Sequence, residues 1–360
     1  MADFRFLKAG EKWVILASRR AKRPDVARGS EPVCPFCPET EGEEEVYRVS
    51  EIASSGLTSL TIPSNDNSDW AVRVLNNKFP FAPIHEVIIH SPDHHKNFGE
   101  LPVGHVELIL QTYRQRYQTH QLQGQVYIFH NRGKEGGESL PHPHSQLAVI
   151  PFEVEIDAPR LDSVIASDQV RLGQRGNLLN PQEIASSQAP RNDVFLTTHF
   201  SILCPQSSQW PDEVWIAPQS RGKEFGEITD EEIADLAYSI NRIIQLLSAR
   251  HTISHREVAS GDRGDLVRLL RLLRLTLRIP RNDIETSESF AFNFYIYPGK
   301  DWYLRLIPRA KILGGFELGT GIYVNTQDPT ETINFIREHF ENPDREKIQA
   351  EHTAEYERRV

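Results

Sequence analysis

Two stretches of the chain repeat one another. HEVIIHSPDHHKNFGELPVGHVELILQTYRQRY, beginning at His85, aligns without gaps on DEVWIAPQSRGKEFGEITDEEIADLAYSINRII, beginning at Asp212. Lys96, Phe98, Gly99 and Glu100 coincide with Lys223, Phe225, Gly226 and Glu227. In each copy an apolar run of strand character passes through a turn into a segment whose apolar residues recur at the helical period. The second helix opens with Thr229 and Glu232 at capping-box spacing. Two more strand-like runs joined by a polar loop follow each helix: QVYIFH and HSQLAVIP in the first copy, FNFYIYPG and WYLRLIPR in the second. A strand–helix–strand–strand unit that occurs twice predicts an α+β fold of two related halves, each an antiparallel sheet with a packed helix.

The rest of the chain divides around this repeat. An N-terminal half covers 1–155, and a polar, irregular linker or surface excursion covers 156–192. The C-terminal half covers 193–342, and a polar tail covers 343–360. An insertion, SHREVASGDRGDLVRLLRLLRLTLRIPRND, interrupts the second half. Its Arg268, Arg271, Arg274 and Arg278 fall on one helical face and its leucines on the other. That is the pattern of a helix packed on its own domain with a solvated arginine face, although a membrane or partner surface would suit it too.

Composition narrows the function classes. Of 360 residues, 39% are hydrophobic and 25% charged, as in ordinary soluble proteins. A formal charge of −10 argues against nucleic acid or an anionic membrane as the main partner. No segment approaches the ~20 apolar residues of a membrane helix. MADFRFLKAGEKWVILASRR lacks the apolar core and cleavage pattern of a signal peptide. Three cysteines are too few for a disulfide framework, and a cytoplasmic location is expected.

Cys34-Pro-Phe-Cys37 is either a redox pair or half of a zinc site. Its surroundings, GSEPVCPFCPETEGEEE, contain no helix start, which favours zinc if two more ligands exist elsewhere. Cys204, alone in the apolar run FSILCP, reads as an inert buried thiol. In SLPHPHSQLAVIP, His142, His144 and Gln146 alternate and so share one strand face. Pro143 lacks a ladder donor and suits a strand end. Taken alone, this pattern fits two surface histidines equally well. Aligning Ile150-Pro151 with Ile307-Pro308 sets His144 opposite Asp301 and Gln146 opposite Tyr303. The repeat alignment sets His94 opposite Arg221. A single chemical centre, in the first half, is expected.

CPFC, then SPDH (Ser91 to His94), then NRGKEGGESLPHPHSQ, in that order within a duplicated fold, resembles the galactose-1-phosphate uridylyltransferase family of the histidine-triad superfamily. The resemblance runs from RRAKRP near residue 20 to GGFELGTG near 320 and implies two histidine-triad-like halves. It implies a zinc ion held by Cys34, Cys37, His94 and His142, with His95 the adjacent alternative to His94. Two thiolates and two imidazoles suit a closed structural site. His144 would be the nucleophile, forming a nucleotidyl-histidine that a second sugar 1-phosphate attacks in a ping-pong exchange. Gln146 stands where histidine-triad hydrolases usually carry a third histidine. A departing sugar phosphate is a weak base, so an amide that holds the phosphoryl oxygens suffices. By the same resemblance Asn131 and Ser139 bind phosphate, Arg20 and Arg23 the nucleotide sugar, and Asn77 and Lys78 the nucleoside. Lys311, Ile312, Phe316 and Glu317 match a segment that reaches a sugar site, in part across a homodimer interface. DWYLRLIPR has no histidine, so no second metal is expected. The implied activity is that of a UDP-glucose–hexose-1-phosphate uridylyltransferase, with nucleotide sugar and sugar 1-phosphate as partners. FELGTGIYVN looks closer to ADP-glucose phosphorylases, which makes an ADP-sugar phosphorylase the alternative. A nucleotide-binding regulatory protein without turnover is the other.

Overall fold

The computed structural model describes residues 4–10, 12–18, 20, 34–38, 45–50, 59–61, 70–164, 194–258, 290–348 and 350–351. Arg23 and the arginine-bearing run at 268–278 lie outside the described residues. Strands β1 (Arg5–Ala9) and β2 (Lys12–Leu16) form a separate hairpin. The other described strands make one sheet of eleven. In spatial order, its first half holds β4 (Ser59–Thr61), β3 (Glu45–Ser50), β5 (Val72–Asn76), β6 (Ile84–Ile89), β8 (His144–Ile150) and β7 (Gln125–Arg132). The second half continues with β12 (Phe292–Ile296), β13 (Leu304–Pro308), β11 (Val214–Pro218), β10 (Phe200–Leu203) and β9 (Val194–Leu196). Helix α1 (Val103–His120) joins β6 to β7, and α2 (Asp230–Val258) joins β11 to β12. The expected unit therefore occurs twice, and every strand pairing is antiparallel.

The half-sheets meet edge to edge. β7 pairs with β12, Phe294 opposite His130 and Ile296 opposite Ile128, so each half covers an edge the other would leave unpaired. Alternation then divides the sheet into two faces. Ile88, Ile128, Leu147, Val149, Val214, Phe294 and Leu306 face the helices and form the core with Ile109, Tyr113, Ile240 and Ile244. Each such fully buried side chain contributes roughly 1.5–3 kcal/mol.

The repeat is expressed as an exchange between halves. Gln118 of α1 donates to Gly226 O at 2.7 Å, and Gln245 of α2 donates to Gly99 O at 2.9 Å. Likewise Arg114 reaches Ile228 O, while Asn241 reaches Leu101 O. Each helix thus rests on the other half's Lys-x-Phe-Gly-Glu turn, whose phenylalanine, Phe98 or Phe225, is wholly buried. Glycine is required for this approach, because a Cβ on Gly226 would lie 2.8 Å from Tyr117 Cδ1. The Thr229–Glu232 capping box forms in both directions.

One expectation is corrected. Val87 pairs with Gln146 and belongs to a small cluster on the far face, whereas its aligned partner Val214 pairs with Leu306 in the core. An ungapped alignment cannot hold through the strand, since an odd shift in register swaps faces. The loop between strand and turn differs in length between the halves. Two polar segments are anchored. Leu161 and Val164 of 156–164 pack against Trp215 and Tyr303, and Ile348 is buried against Leu246 and Ala249.

Candidate metal centre and active site

Cys34, Cys37, His94 and His142 come together from three separate segments, their ligand atoms all within 4.8 Å of one another. Cys37 Sγ lies 3.2 Å from His94 Nδ1 and 3.6 Å from His142 Nδ1, and Cys34 Sγ lies 3.7 Å from His142 Nδ1. Zinc at ordinary Zn–S and Zn–N lengths in a tetrahedron requires S···N edges of about 3.6 Å, so the donor set fits the ion. His142 supports this. Its Nε2–H donates to Ser91 O at 2.8 Å, leaving the lone pair on Nδ1 toward the thiols. Burial also pushes the His142 imidazole down to about 4, which keeps it neutral, as a ligand must be. His95 is exposed and outside the cluster, its backbone N–H donating to Asp93.

The same loop reaches the next histidine. Phe36, between the cysteines, packs edge-to-face on His144, the first residue of β8, with ring centroids 5.1 Å apart. His144 Nδ1–H donates to His142 O at 2.8 Å, which places the ring lone pair on Nε2. Gln146 follows on the same face, its Oε1 3.0 Å from His85 Nε2. From the opposite face, Ser145 secures the strand. Tyr113 O–H donates to Ser145 Oγ, Ser145 bonds His90 Nε2 at 2.8 Å, and His130 Nδ1–H donates to His144 O at 2.9 Å. Desolvation, then the neighbouring histidines, holds His90 and His130 well below the ordinary histidine value, so both are neutral.

The remaining expected residues divide. Arg20 covers the Phe81 ring at 4.9 Å and donates to Phe79 O, close to Asn77, whose Oδ1 accepts the Phe79 N–H. Lys78 beside them is exposed. Asn131 Oδ1 accepts from Asn293 Nδ2 at 2.8 Å, and the same Asn293 group donates to Gly136 O at 2.7 Å. The second half thereby holds both the Asn131 amide and the glycine-rich loop that carries half-buried Ser139. Gly136 has no room for a Cβ, which would meet Arg132 O at 2.2 Å. Lys311 and Glu317 pair with each other at 2.6 Å, and Ile312 and Phe316 are 84% and 55% exposed. These four follow β13, with Glu317 buried beneath Lys311 and the two apolar side chains facing solvent. His85, Phe36 and Asn293 escaped the motif reading. The only sequence signals for them were the i, i+2 alternation of HEV and the phenylalanine inside CPFC.

In the second half the corresponding place is closed. Arg221 Nε bonds Asp301 Oδ1 at 3.1 Å and its Nη2 bonds Asp162. Tyr303 stacks on Trp215 at 4.3 Å and donates to Pro159 O. Among the described residues, the Cys2His2 cluster and the His144 strand both lie in the first half.

A duplicated antiparallel sheet thus carries His-x-Gln on one central strand beside a Cys2His2 cluster. Known proteins share this arrangement of the chain. Residues 3–150 match the family described as galactose-1-phosphate uridyl transferase, N-terminal domain. The chain is 23% identical over 365 residues to an ADP-glucose phosphorylase from Arabidopsis thaliana, covering 91% of this chain and 90% of that one. It is 24% identical over 347 residues to a galactose-1-phosphate uridylyltransferase from Thermotoga maritima, covering 94% and 98%. The crystal structure of an Arabidopsis thaliana ADP-glucose phosphorylase with bound ADP-glucose has the same fold, with a TM-score of 0.57 at 21% identity, covering 93% of this chain and 98% of that one. Over residues 3–150 the chain is similar to the galactose-1-phosphate uridyl transferase N-terminal domain, and over nearly its whole length to the two relatives above. Among the described residues, no helix is long and apolar enough to cross a membrane.

Proposed function

We propose that this nucleotidyltransferase moves a nucleoside monophosphate between sugar 1-phosphates, with UDP-glucose and a hexose 1-phosphate such as galactose 1-phosphate as the pair, through a covalent intermediate on His144. The observation that carries this reading is the His144 Nδ1–H bond to His142 O, with Gln146 next on the same face. Nε2 is left as the nucleophile. When it attacks the α-phosphorus, the bond to the sugar 1-phosphate breaks and that group leaves as a stable phosphate anion, with no proton required. The imidazole becomes cationic, and the His142 carbonyl stabilises the charge through Nδ1–H. Amide donors from Gln146 and Asn131 are suited to hold the phosphoryl oxygens. A second sugar 1-phosphate then attacks the same phosphorus and restores neutral His144. Cys34, Cys37, His94 and His142 would hold a zinc ion whose role is to tie the CPFC loop to the start of β8. The exposed Lys311–Glu317 segment suits a sugar contact supplied across a homodimer.

A second reading is supported by the near full-length match to an ADP-glucose phosphorylase. In it the nucleotide is adenosine, and inorganic phosphate takes the acceptor's place. One experiment addresses both. Labelled UDP-glucose or ADP-glucose without acceptor should leave an acid-labile nucleotidyl group on His144, and His144→Ala should abolish it with fold and metal content intact. Galactose 1-phosphate or inorganic phosphate should then discharge it, and the pair that does so names the reaction. An adduct on another residue would end the assignment.

A further inference from the structure

Gln146 has two chemically opposite ends, and only one suits a phosphoryl group. Its NH2 can donate to the phosphoryl oxygens, whereas its carbonyl would repel them. The backbone makes the choice. The Phe81 N–H points at His85 Nδ1 across 3.2 Å, so that nitrogen carries the lone pair and the proton of a neutral His85 lies on Nε2. Nε2–H then donates to Gln146 Oε1 at 3.0 Å. Asn77 Nδ2 is 3.2 Å from the same nitrogen, but Asn77 Oδ1 already accepts the Phe79 N–H at 2.9 Å. Asn77 thus has no acceptor for the Nε2 proton; with the proton on Nε2 the Asn77 amide N–H makes no hydrogen bond there, and of the two neighbours Gln146 Oε1 is the acceptor. With its oxygen held, Gln146 has its NH2 group to offer the substrate.

His85 is in turn held in place. It is 4% exposed and Gln146 5%. On neighbouring strands, His85 pairs with Ala148 and Val87 with Gln146, so all four side chains share one face. The Phe81 ring lies 4.2 Å from the imidazole, and Arg20 covers Phe81. We infer that His85 is a positioning residue that fixes the Gln146 amide with its donors toward the transferred phosphoryl group. This rests on the reaction proposed for His144.

Two measurements test it. In protein labelled with ¹⁵N-histidine, long-range proton–nitrogen correlation should show His85 as the Nε2–H tautomer. An Nδ1–H tautomer overturns the inference whatever the activity. The second measurement is the single-turnover rate of His144 nucleotidylation by UDP-glucose and ADP-glucose. His85→Phe keeps a ring against Phe81 and removes both nitrogens. It should slow the step by about 10-fold to 100-fold, at or below the loss expected for removing a transition-state donor. Binding of the nucleotide sugar should change less than about 3-fold. In a Gln146→Ala background the same substitution should cost less than about 3-fold more, because its effect runs through Gln146. Losses that simply multiply would mean His85 acts only on the fold and would overturn the inference. His85→Gln, which can still donate, should recover part of the rate, and it carries the same double-mutant comparison if His85→Phe does not fold. A wild-type protein that forms no adduct with either nucleotide sugar overturns the proposed reaction, and the tautomer then decides the amide's orientation by itself.

Discussion

At residue scale the centre depends on which atom carries each proton. His142 gives Nε2–H to Ser91 O and keeps Nδ1 for the thiols, whereas His144 gives Nδ1–H to His142 O and keeps Nε2 for chemistry. Two histidines separated by one proline are thus assigned opposite tautomers by two backbone carbonyls. Gln146 is the sensitive neighbour. Gln146→Glu places a carboxylate where phosphoryl oxygens must sit and should cut exchange by about 10²-fold or more, the scale for losing an oriented donor and gaining a repulsion. Gln146→His should lose a comparable factor yet still form some His144 adduct, since the nucleophile is intact. Steady-state exchange and adduct yield measure these separately. Full exchange in Gln146→Glu would mean that residue 146 does not face the phosphate. The motif reading named Gln146 and His144 but not His85, because nothing in HEVIIH says which strand it will lie beside.

At element scale, β8 is secured at its start and from both faces. The Cys2His2 cluster holds its start, so about one zinc per chain is expected, and Cys34→Ser or His142→Asn should cost ~2 kcal/mol or more along with activity. Metal analysis and denaturant unfolding check this, and normal folding and turnover after exhaustive chelation would refute it. Behind the strand, His90 and His130 are buried and held neutral well below their ordinary value of 6.5. In the unfolded chain they take up protons as pH falls below about 6.5, while in the folded protein they do not. The unfolded state then binds more protons, so stability should be level above that pH and fall below it. Each histidine contributes up to about 1.4 kcal/mol per pH unit in that window. Urea midpoints from pH 8 to 5 should show the decline, and His130→Phe should make it shallower. An unchanged slope would remove His130 as a cause.

At the scale of the whole molecule, the halves are interlocked and do not merely adjoin. β7 pairs β12, α1 holds the second half's turn, and α2 holds the first half's turn. Heat or denaturant should therefore unfold the described core in one transition. Gly226→Ala should lower its midpoint by an overpacking cost of about 1–3 kcal/mol, because the new methyl meets the Tyr117 ring. The transition should shift without splitting, as followed by circular dichroism and tryptophan fluorescence together. Two separable transitions would contradict the interlock.

The repeat, the helical and strand periods and the capping box are local patterns, and so they were legible in the residues alone. Cys34 and Cys37 announced half a metal site by type and setting, whereas His94 and His142 were singled out only through the family resemblance and were joined to them by the fold. Other features were decided only when every apolar face was buried at once. These include the offset between the two copies of the first repeat strand, since face and register are chosen together with partner strands. They include the Arg221–Asp301 pair and the Trp215–Tyr303 stack that close the second half. They also include the contacts made across long separations, His85 to Gln146 and Asn293 to Asn131. A hydrogen bond has a direction as well as a partner. Residue types supply the donors and acceptors, but only the packed backbone, by spending the Phe81 N–H on His85, decides which end of an amide is left for the substrate.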